Sequence, residues 1–336
     1  MSSNSSPYAT PYHEPVLVAE VLEYLDVKPG GRYVDGTLGG GGHTRAILDR
    51  SAPDGKVLAI DRDPQALDVA RARLTDAGDR VRFVQGNYGD AASICKQEGF
   101  EDVDGFLVDA GVSSHQLDTA ERGFSFSRPG PLDMRMGPDA PTLEEYLTEV
   151  SLEELGRVLK VYGELRSWRR LAREILDASH AEKLEDTGDL ARLVEGVVGR
   201  GAGSGRSTTI NPATLVFQAL RIAVNRELEH LEAAVEAIPR FVGVGGRAVF
   251  ISFHSLEDRI VKHGFRTLAD PCTCPPGLPV CICGLEPTVE VLTSKPVQAT
   301  EEELDQNPRA RSARLRAVRV LKSDSSPPNA VNEARR

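Results

Sequence analysis

The chain has 336 residues, of which 40% are hydrophobic and 27% charged, and its formal net charge is −10. This length admits two domains or one domain with a large insertion, and the negative charge argues mildly against nucleic-acid binding by the whole surface. No uninterrupted apolar run of about 18 residues predicts a membrane span. The N-terminus also lacks the apolar core of a secretory signal. We therefore expect a cytoplasmic protein with a disordered leader over 1–15 and a disordered tail over 323–336.

Four apolar runs alternate with helix-like segments in the first third of the chain, and each run ends in polar residues. These ends are Asp35, Asp61, Asn87 with Tyr88, and Asp109. Strands that alternate with helices predict an open parallel α/β sheet, and their nearly continuous apolar character indicates burial on both faces. We expect the polar ends to gather at the carboxyl edge of the sheet, where such sheets bind ligands.

Residues 117–207 carry no strand-like run and predict an inserted helical domain that ends in the basic loop "GRGAGSGRS". The α/β pattern then resumes with the helix "PATLVFQALRIAVNREL", the strand "RAVFISF" and the helix "SLEDRIVKHGF". The expected domains are therefore 16–116 together with 208–322, and the insertion 117–207.

Five glycines occupy the seven positions from Gly36 to Gly42, between the first strand and the first helix of this pattern. They form either a loose loop or a turn against which a ligand lies. Their spacing fits neither the G-x-G-x-x-G pattern of dinucleotide sites nor a phosphate-binding P-loop. Asp61 is well placed to accept hydrogen bonds from ribose hydroxyls. Together these features favour a nucleoside without phosphate, such as S-adenosylmethionine, whose carboxylate can use the N–H groups of a helix start.

The stretch "SFHS" ends the later strand and brings Ser252, His254 and Ser255 to the same edge. His254 either relays a proton or caps the helix that follows.

Several long motifs resemble the ribosomal RNA small-subunit methyltransferase H family. They are "HEPVLVAEVL", "VDGTLGGGGH", "AIDRDP", "VDGFLVDAGVSSHQLDTAERGFSF", "PLDMRM", "QALRIAVNREL" and "ISFHSLEDRIVK". The resemblance covers nearly the whole chain and implies a class I methyltransferase (Rossmann-like) open sheet with an inserted helical domain. It also implies methylation of the exocyclic N4 of a cytidine in the decoding region of small-subunit ribosomal RNA, with S-adenosylmethionine as cofactor.

The resemblance carries site residues onto this chain. The implied cofactor contacts are Gly41, Gly42, His43, Asp61, Tyr88, Asp109 and Gln116. Asp109 is a catalytic candidate because the loop after it stands where amino-methyltransferases hold the acceptor amine. His254 is the second catalytic candidate, because it lies at the same edge of the predicted sheet and could relay the proton. Two alternatives stay open: His43 as a solvent-facing residue of a helix start, and Gln116 as an amide that braces its own loop.

Two arginine-rich segments, Arg166–Arg173 and Arg309–Arg319, and the basic loop of the insertion are candidates for phosphate contacts. Each is otherwise a solvated charged face. The expected partner is small-subunit ribosomal RNA or the assembled subunit, without a membrane. An apolar helix face is compatible with a homodimer.

Three other functions remain as alternatives. One is a class I methyltransferase of a small molecule or a protein. Another is a nicotinamide oxidoreductase, which the glycine spacing disfavours. The third is an RNA-assembly factor that keeps S-adenosylmethionine as a structural ligand without turnover.

Four of the five cysteines form two C-x-C pairs, Cys272 with Cys274 and Cys281 with Cys283. They could surround one tetrahedral zinc ion, but C-x-C is tighter than the usual spacing of structural zinc sites. The alternative is a proline-stiffened loop with reduced thiols, and from the sequence we assign no metal ligand.

Overall fold

The computed structural model describes residues 8, 15–199, 211–275 and 281–324. The leader and the tail expected from the sequence, and the basic loop of the insertion, lie almost entirely outside the described residues. No helix in the described ranges has the length and apolar character needed to cross a membrane.

A seven-stranded sheet organises the α/β part of the chain, in the order β3-β2-β1-β4-β5-β7-β6. Its strands are β1 Arg32–Asp35, β2 Lys56–Asp61, β3 Val81–Gln85, β4 Val103–Asp109, β5 Val242–Ser252, β6 Val289–Val291 and β7 Arg314–Val320. The first five strands pair in parallel, whereas β7 is antiparallel to both of its neighbours. The predicted open α/β sheet is confirmed.

The α-helices follow the alternation that the sequence indicates. They are α1 Val18–Tyr24, α2 Gly42–Arg50, α3 Pro64–Arg73, α4 Ala91–Gln97, α5 Ser114–Asp118, α6 Leu143–Glu149, α7 Leu152–Val161, α8 Trp168–His180, α9 Thr187–Val198, α10 Pro212–Asn225, α11 Glu227–Phe241, α12 Ser255–Ala269 and α13 Glu301–Gln306. Short polar residues start many of them. Asp63 accepts from the Gln65 N–H and precedes Pro64, which suits a first helical turn.

The first compact unit consists of the chain up to Gly111 and from Leu228 onward. Successive strand residues point to opposite faces of its sheet, so Val34 and Leu58 lie in one buried cluster, while Tyr33 and Val57 lie in the other. Both faces are covered. This explains why the strands read as nearly continuous apolar runs.

The second compact unit, Val112–Glu227, is helical. Its limits differ from the insertion 117–207 expected from the sequence because α10 packs into the helical core. Phe217 and Leu220 of this helix are buried in the same cluster as Leu159 and Leu171. Apolar burial therefore joins α10 to the helical unit.

Two of the motifs on which the resemblance rests meet inside the helical unit. The buried Asn225 amide donates to the carbonyl of Met134 at 2.8 Å, and its Oδ1 accepts from the N–H of Met136 at 2.8 Å. Asn225 belongs to "QALRIAVNREL", and the two methionines belong to "PLDMRM". The amide thus fixes an irregular loop against the end of α10.

Candidate active site

Backbone hydrogen bonds hold the glycine-rich turn after β1, residues 36–42, against the two neighbouring strands. Gly36 N–H donates to the carbonyl of Leu107 on β4 at 2.8 Å, and Leu38 N–H donates to that of Ile60 on β2 at 3.0 Å. These bonds hold the turn at the carboxyl edge of the sheet. The glycine segment is therefore a hydrogen-bonded turn and not a loose loop.

Left-handed backbone explains two of the glycines. Gly39 has φ +49° and Gly41 has φ +75°, a region that residues with a Cβ rarely adopt. Gly42 is explained by space, because a Cβ there would lie 2.8 Å from Cγ of Pro15. Glycine at these positions allows the chain to turn sharply into α2.

The N-terminus of α2 offers backbone donors at this edge. Its N-cap is Gly41, and no side chain caps the helix. The first N–H groups of a helix have no partner within the helix, and they carry the positive end of its dipole. This is a donor set for a carboxylate or another small anion.

Asp35, at the end of β1, is fully buried and serves the turn itself. Its carboxylate accepts from Thr44 Oγ1 at 2.6 Å and from the Thr37 N–H at 3.1 Å. Burial raises the pKa of Asp35, and the Thr44 hydroxyl opposes that rise. Asp35 therefore ties the start of α2 to β1.

Asp61, at the end of β2, also supports the turn. One carboxylate oxygen accepts from Gly39 N–H at 2.7 Å, and the other accepts from Asp63 N–H at 2.9 Å. Removal from water raises the pKa of Asp61 to about 6, although both N–H donors act in the opposite direction. Each oxygen keeps a further lone pair with which it can accept from a ligand hydroxyl.

His43 is buried beside Asp109. Its Nε2 lies 2.8 Å from the carbonyl oxygen of Val16, so Nε2 carries a proton and donates. Its Nδ1 lies 3.7 Å from Oδ2 of Asp109. Only 5% of His43 is exposed, which rules out the solvent-facing alternative.

Asp109 ends β4, and its backbone is tied to the glycine turn. The Asp109 N–H donates to Thr37 Oγ1 at 2.7 Å. The structure thus brings together His43, Asp61 and Asp109 around the turn at the carboxyl ends of β1, β2 and β4. Asp35 and Thr37 were not among the predicted site residues, although Asp35 stood out as a strand end.

Tyr88 follows β3 and lies against the same turn, because a Cβ at Gly36 would be 2.9 Å from the Cβ of Tyr88. The adjacent Asn87 is buried, and its Oδ1 accepts from the Gly89 N–H at 2.9 Å. Within the described part of the chain, Nδ2 of Asn87 has no hydrogen-bond acceptor. The sequence marks Asn87 only as a strand end, and the burial of its amide adds it to the site.

Gln116 lies in the helical unit and forms a capping box at the start of α5. Its Oε1 accepts from the Ser113 N–H at 3.0 Å, and its own N–H donates to Ser113 Oγ at 3.2 Å. These contacts are the ones expected if Gln116 braces its own loop, which was the alternative to a cofactor contact. A cofactor role for Gln116 stays a prediction.

His254 is the N-cap of α12, in a capping box with the buried Glu257. Its Nδ1 accepts from the Glu257 N–H at 3.4 Å, and its Nε2 lies 3.0 Å from Oε1 of the same residue. Both ring nitrogens thus face Glu257. A proton relay through His254 stays a prediction, and the capping alternative accounts for both contacts.

In the second arginine-rich segment, Arg309, Arg311 and Arg319 are exposed, whereas one arginine is buried. Arg316 on β7 is 6% exposed and donates from Nε to Oδ1 of Asp258 at 2.6 Å, which removes it from the phosphate candidates. Arg169, Arg170 and Arg173 on α8 are exposed, and no ion pair engages them among the described residues.

An open sheet with this strand order and one antiparallel strand, a glycine turn after β1 and an acid after β2 defines a class I methyltransferase. The chain belongs to the MraW methylase family, whose model matches residues 10–321. This confirms the resemblance noted from the sequence motifs. The cofactor is S-adenosylmethionine, and the residues around the turn fit it: backbone donors for a carboxylate and an acid for ribose hydroxyls.

Two curated relatives are similar over almost their whole length. A protein of Geobacter sulfurreducens named ribosomal RNA small subunit methyltransferase H is 52% identical over 310 residues, which cover 92% of this chain and 99% of the relative. A protein of the same name from Anaeromyxobacter sp. strain K is also 52% identical, with coverages of 92% and 98%.

Proposed function

We propose that this protein transfers a methyl group from S-adenosylmethionine to the exocyclic N4 of a cytidine in the decoding region of small-subunit ribosomal RNA. The observation that carries the proposal is the 52% identity, over 92% of the chain, to relatives named ribosomal RNA small subunit methyltransferase H. The N4 position and the decoding region come from the motif resemblance. A ribosomal substrate implies a cytoplasmic protein.

The cofactor, when bound, supplies a methyl group on a sulfonium centre, which is an excellent leaving group. The chain then needs residues that bind and orient. The α2 N–H groups receive the methionine carboxylate, and Asp61 accepts from the ribose hydroxyls. The other proposed cofactor contacts are Gly41, Gly42, His43, Tyr88, Asp109 and Gln116.

We propose Asp109 as the hydrogen-bond acceptor for the N–H groups of the reacting amine. The lone pair of an exocyclic cytosine amine is delocalised into the ring, so the enzyme must align it and accept its hydrogen bonds as charge develops. Asp109 is suited to this because its backbone is fixed to Thr37 and its carboxylate lies beside buried His43. In addition to its proposed cofactor contact, His43 has a proposed positioning role towards Asp109.

The helical unit carries a surface suited to single-stranded RNA. Trp168 is flanked by Arg169, whose guanidinium lies 4.5 Å from the ring centroid, and by Lys160 at 5.7 Å. Arg170 and Arg173 add exposed positive charge on the same helix. In such surfaces, basic side chains bind the RNA backbone and the aromatic ring stacks on a base. A target cytidine must be unstacked to react, so single-stranded RNA is the expected form at this surface.

Methyl transfer from labelled S-adenosylmethionine to small ribosomal subunits that lack the modification tests the proposal. We expect label in ribosomal RNA, and N4-methylcytidine after digestion to nucleosides. Subunits that already carry the modification are the matched control and should accept no label. Naked small-subunit ribosomal RNA, assayed in parallel, identifies which form is the substrate.

Two results contradict the proposal. Cofactor binding without transfer to either RNA form supports the alternative of an RNA-assembly factor without turnover. Label on another nucleoside or on protein supports a methyltransferase of another substrate.

A further inference from the structure

The strongest feature outside the proposed active site is a cluster of four cysteines between α12 and β6. Sγ of Cys281 lies 3.7 Å from Sγ of Cys272, 3.7 Å from that of Cys274 and 3.3 Å from that of Cys283. All four sulfur atoms lie within 4.8 Å of one another. The two C-x-C pairs, nine residues apart from Cys272 to Cys281, therefore face each other across one small volume.

These distances match the edges of a single metal tetrahedron. A zinc–sulfur bond of about 2.3 Å implies neighbouring thiolates about 3.8 Å apart. A disulfide requires sulfur atoms about 2.05 Å apart, and all four cysteines are free. A two-iron cluster would hold its thiolates in two separate pairs, farther apart than one tetrahedral edge.

Burial does not explain why the thiols converge. None of the residues 271–275 or 281–287 is buried, and Ile282 and Leu285 are 78% and 49% exposed. An exposed segment without an apolar core is usually held by disulfides or a metal. The backbone N–H of Ile282 also points to Sγ of Cys274 at 3.4 Å, a contact that favours a thiolate acceptor.

We infer that Cys272, Cys274, Cys281 and Cys283 bind one zinc ion as a closed structural site. Four sulfur ligands in a tetrahedron select zinc or iron, and zinc has no redox chemistry that would make an exposed site labile. Binding releases the thiol protons, because zinc is held by thiolates.

The proposed ion stabilises the connection between α12 and β6. At the far end of that connection, the Thr288 N–H donates to the carbonyl of Leu268 at 2.9 Å, and Glu286 pairs with Lys322. None of the four cysteines belongs to the glycine turn or to the strand ends around it. The zinc site is thus independent of the methyl-transfer proposal.

Elemental analysis of the full-length, tag-free protein tests the inference, after purification without chelator from cells grown with both zinc and iron. We expect about one zinc per chain and almost no iron. Cys281→Ser removes the sulfur that contacts the other three and should abolish stoichiometric zinc. Cys95→Ala, a change at the buried cysteine outside the cluster, should keep it. Binding of S-adenosylmethionine by both variants verifies that the first unit is folded.

Cobalt reconstitution gives a second, independent measurement. Reduced, metal-free protein loaded with Co²⁺ should show the intense d–d and thiolate charge-transfer absorption of a tetrahedral sulfur site. The Cys281→Ser variant should lose it. Less than roughly a tenth of an equivalent of zinc together with no cobalt spectrum overturns the inference. Stoichiometric iron, or a mass loss that reveals disulfides, overturns it as well.

Discussion

The two ring nitrogens of His43 face different partners: Nε2 lies 2.8 Å from the carbonyl of Val16, and Nδ1 lies 3.7 Å from Oδ2 of Asp109. The first contact fixes the orientation of the ring and places a proton on Nε2, because a carbonyl oxygen can only accept a hydrogen bond. The second contact then presents a defined nitrogen to the proposed acceptor carboxylate. His43 thus contacts both Val16, which precedes α1, and Asp109, the proposed hydrogen-bond acceptor at the end of β4.

Two substitutions at His43 separate these roles. A glutamine amide can occupy the place of Nε2, so His43→Gln should keep the bond to Val16 and retain a near-normal melting temperature. It should lower kcat by about 10- to 100-fold, because Oδ2 of Asp109 loses the ring nitrogen that lies 3.7 Å from it in the buried site. Thermal melts and single-turnover methyl transfer measure the two effects.

His43→Asn is the complementary variant, since its amide mimics Nδ1 and cannot reach Val16. It should lose about 1–3 kcal/mol of stability, because the Val16 carbonyl is left without its donor. His263→Gln, an exposed change on α12, is the control and should alter neither quantity. Normal turnover by His43→Gln would contradict the positioning role.

Asp109→Asn tests the acceptor assignment. The substitution keeps the size of the side chain and an oxygen that can contact the cofactor, so S-adenosylmethionine should still bind. It removes the charge, so transfer should fall by about 100-fold or more. Equilibrium binding and turnover are compared on the same preparation. Asp68→Asn, an exposed carboxylate on α3, should leave both unchanged. Full turnover by Asp109→Asn with bound cofactor would refute the assignment.

The raised pKa of Asp61, about 6, predicts how cofactor affinity depends on pH. The ionised carboxylate accepts from the ribose hydroxyls, so affinity should be full above pH 7 and fall as the pH drops through 6. At pH 5 about a tenth of the carboxyl groups are ionised, and binding should weaken by about tenfold. Calorimetric titration between pH 5 and 7.5 measures this change.

Asp61→Asn is the matched variant for this titration. It cannot ionise, so its weaker affinity should vary little over the same range. The amide also disturbs one of the two N–H contacts from Gly39 and Asp63, so some loss of stability is expected. A wild-type affinity that stays constant from pH 7.5 to 5 would exclude Asp61 as the ribose acceptor.

The sheet and its polar edge were predictable because buried parallel strands give continuous apolar runs that end in polar residues. Asp35, Asp61 and Asp109 are therefore recognisable as strand ends from the sequence. The burial of His43 is not predictable in this way, because it depends on contacts of Pro15 and Val16 with the start of α2, which no local sequence pattern indicates. The glycine cluster and its lack of a phosphate-binding spacing could also be recognised from the sequence. The hydrogen bonds that hold the turn against β2 and β4 could not.

Packing partners that are distant in sequence account for the other differences. Helix α10 is apolar around most of its surface, so its pattern fits either core, and only contacts with the other helices join it to the helical unit. From the sequence, Arg316 belongs to a charged run whose simplest interpretation is a solvated face. Its partner Asp258 lies 58 residues earlier on α12, and this pair buries the guanidinium in β7.

Asn225 offers a test of the helical unit alone. Asn225→Ala removes the donor to Met134 and the acceptor for Met136, both at 2.8 Å inside a buried site. We expect a loss of about 2–4 kcal/mol, because the buried Met134 carbonyl and the partly buried Met136 N–H both lose the Asn225 amide as a partner. Urea unfolding measures the loss, and Asn211→Ala, a helix cap on the same α10, provides a reference of about 1 kcal/mol. An equal effect of the two substitutions would show that the loop finds other partners.

The exposed arginines of α8 predict how RNA binding responds to salt. Arg169→Glu, Arg170→Glu and Arg173→Glu should each weaken binding to small-subunit ribosomal RNA. Each should also reduce the slope of log Kd against log salt concentration by about 0.7, the value for one phosphate contact on a single strand. Arg71→Glu changes the same charge on an exposed part of α3 and should leave the slope unchanged. If the α8 variants keep the wild-type slope, these arginines lie outside the RNA footprint, and Trp168, whose ring contacts Arg169, loses its proposed role as a stacking platform.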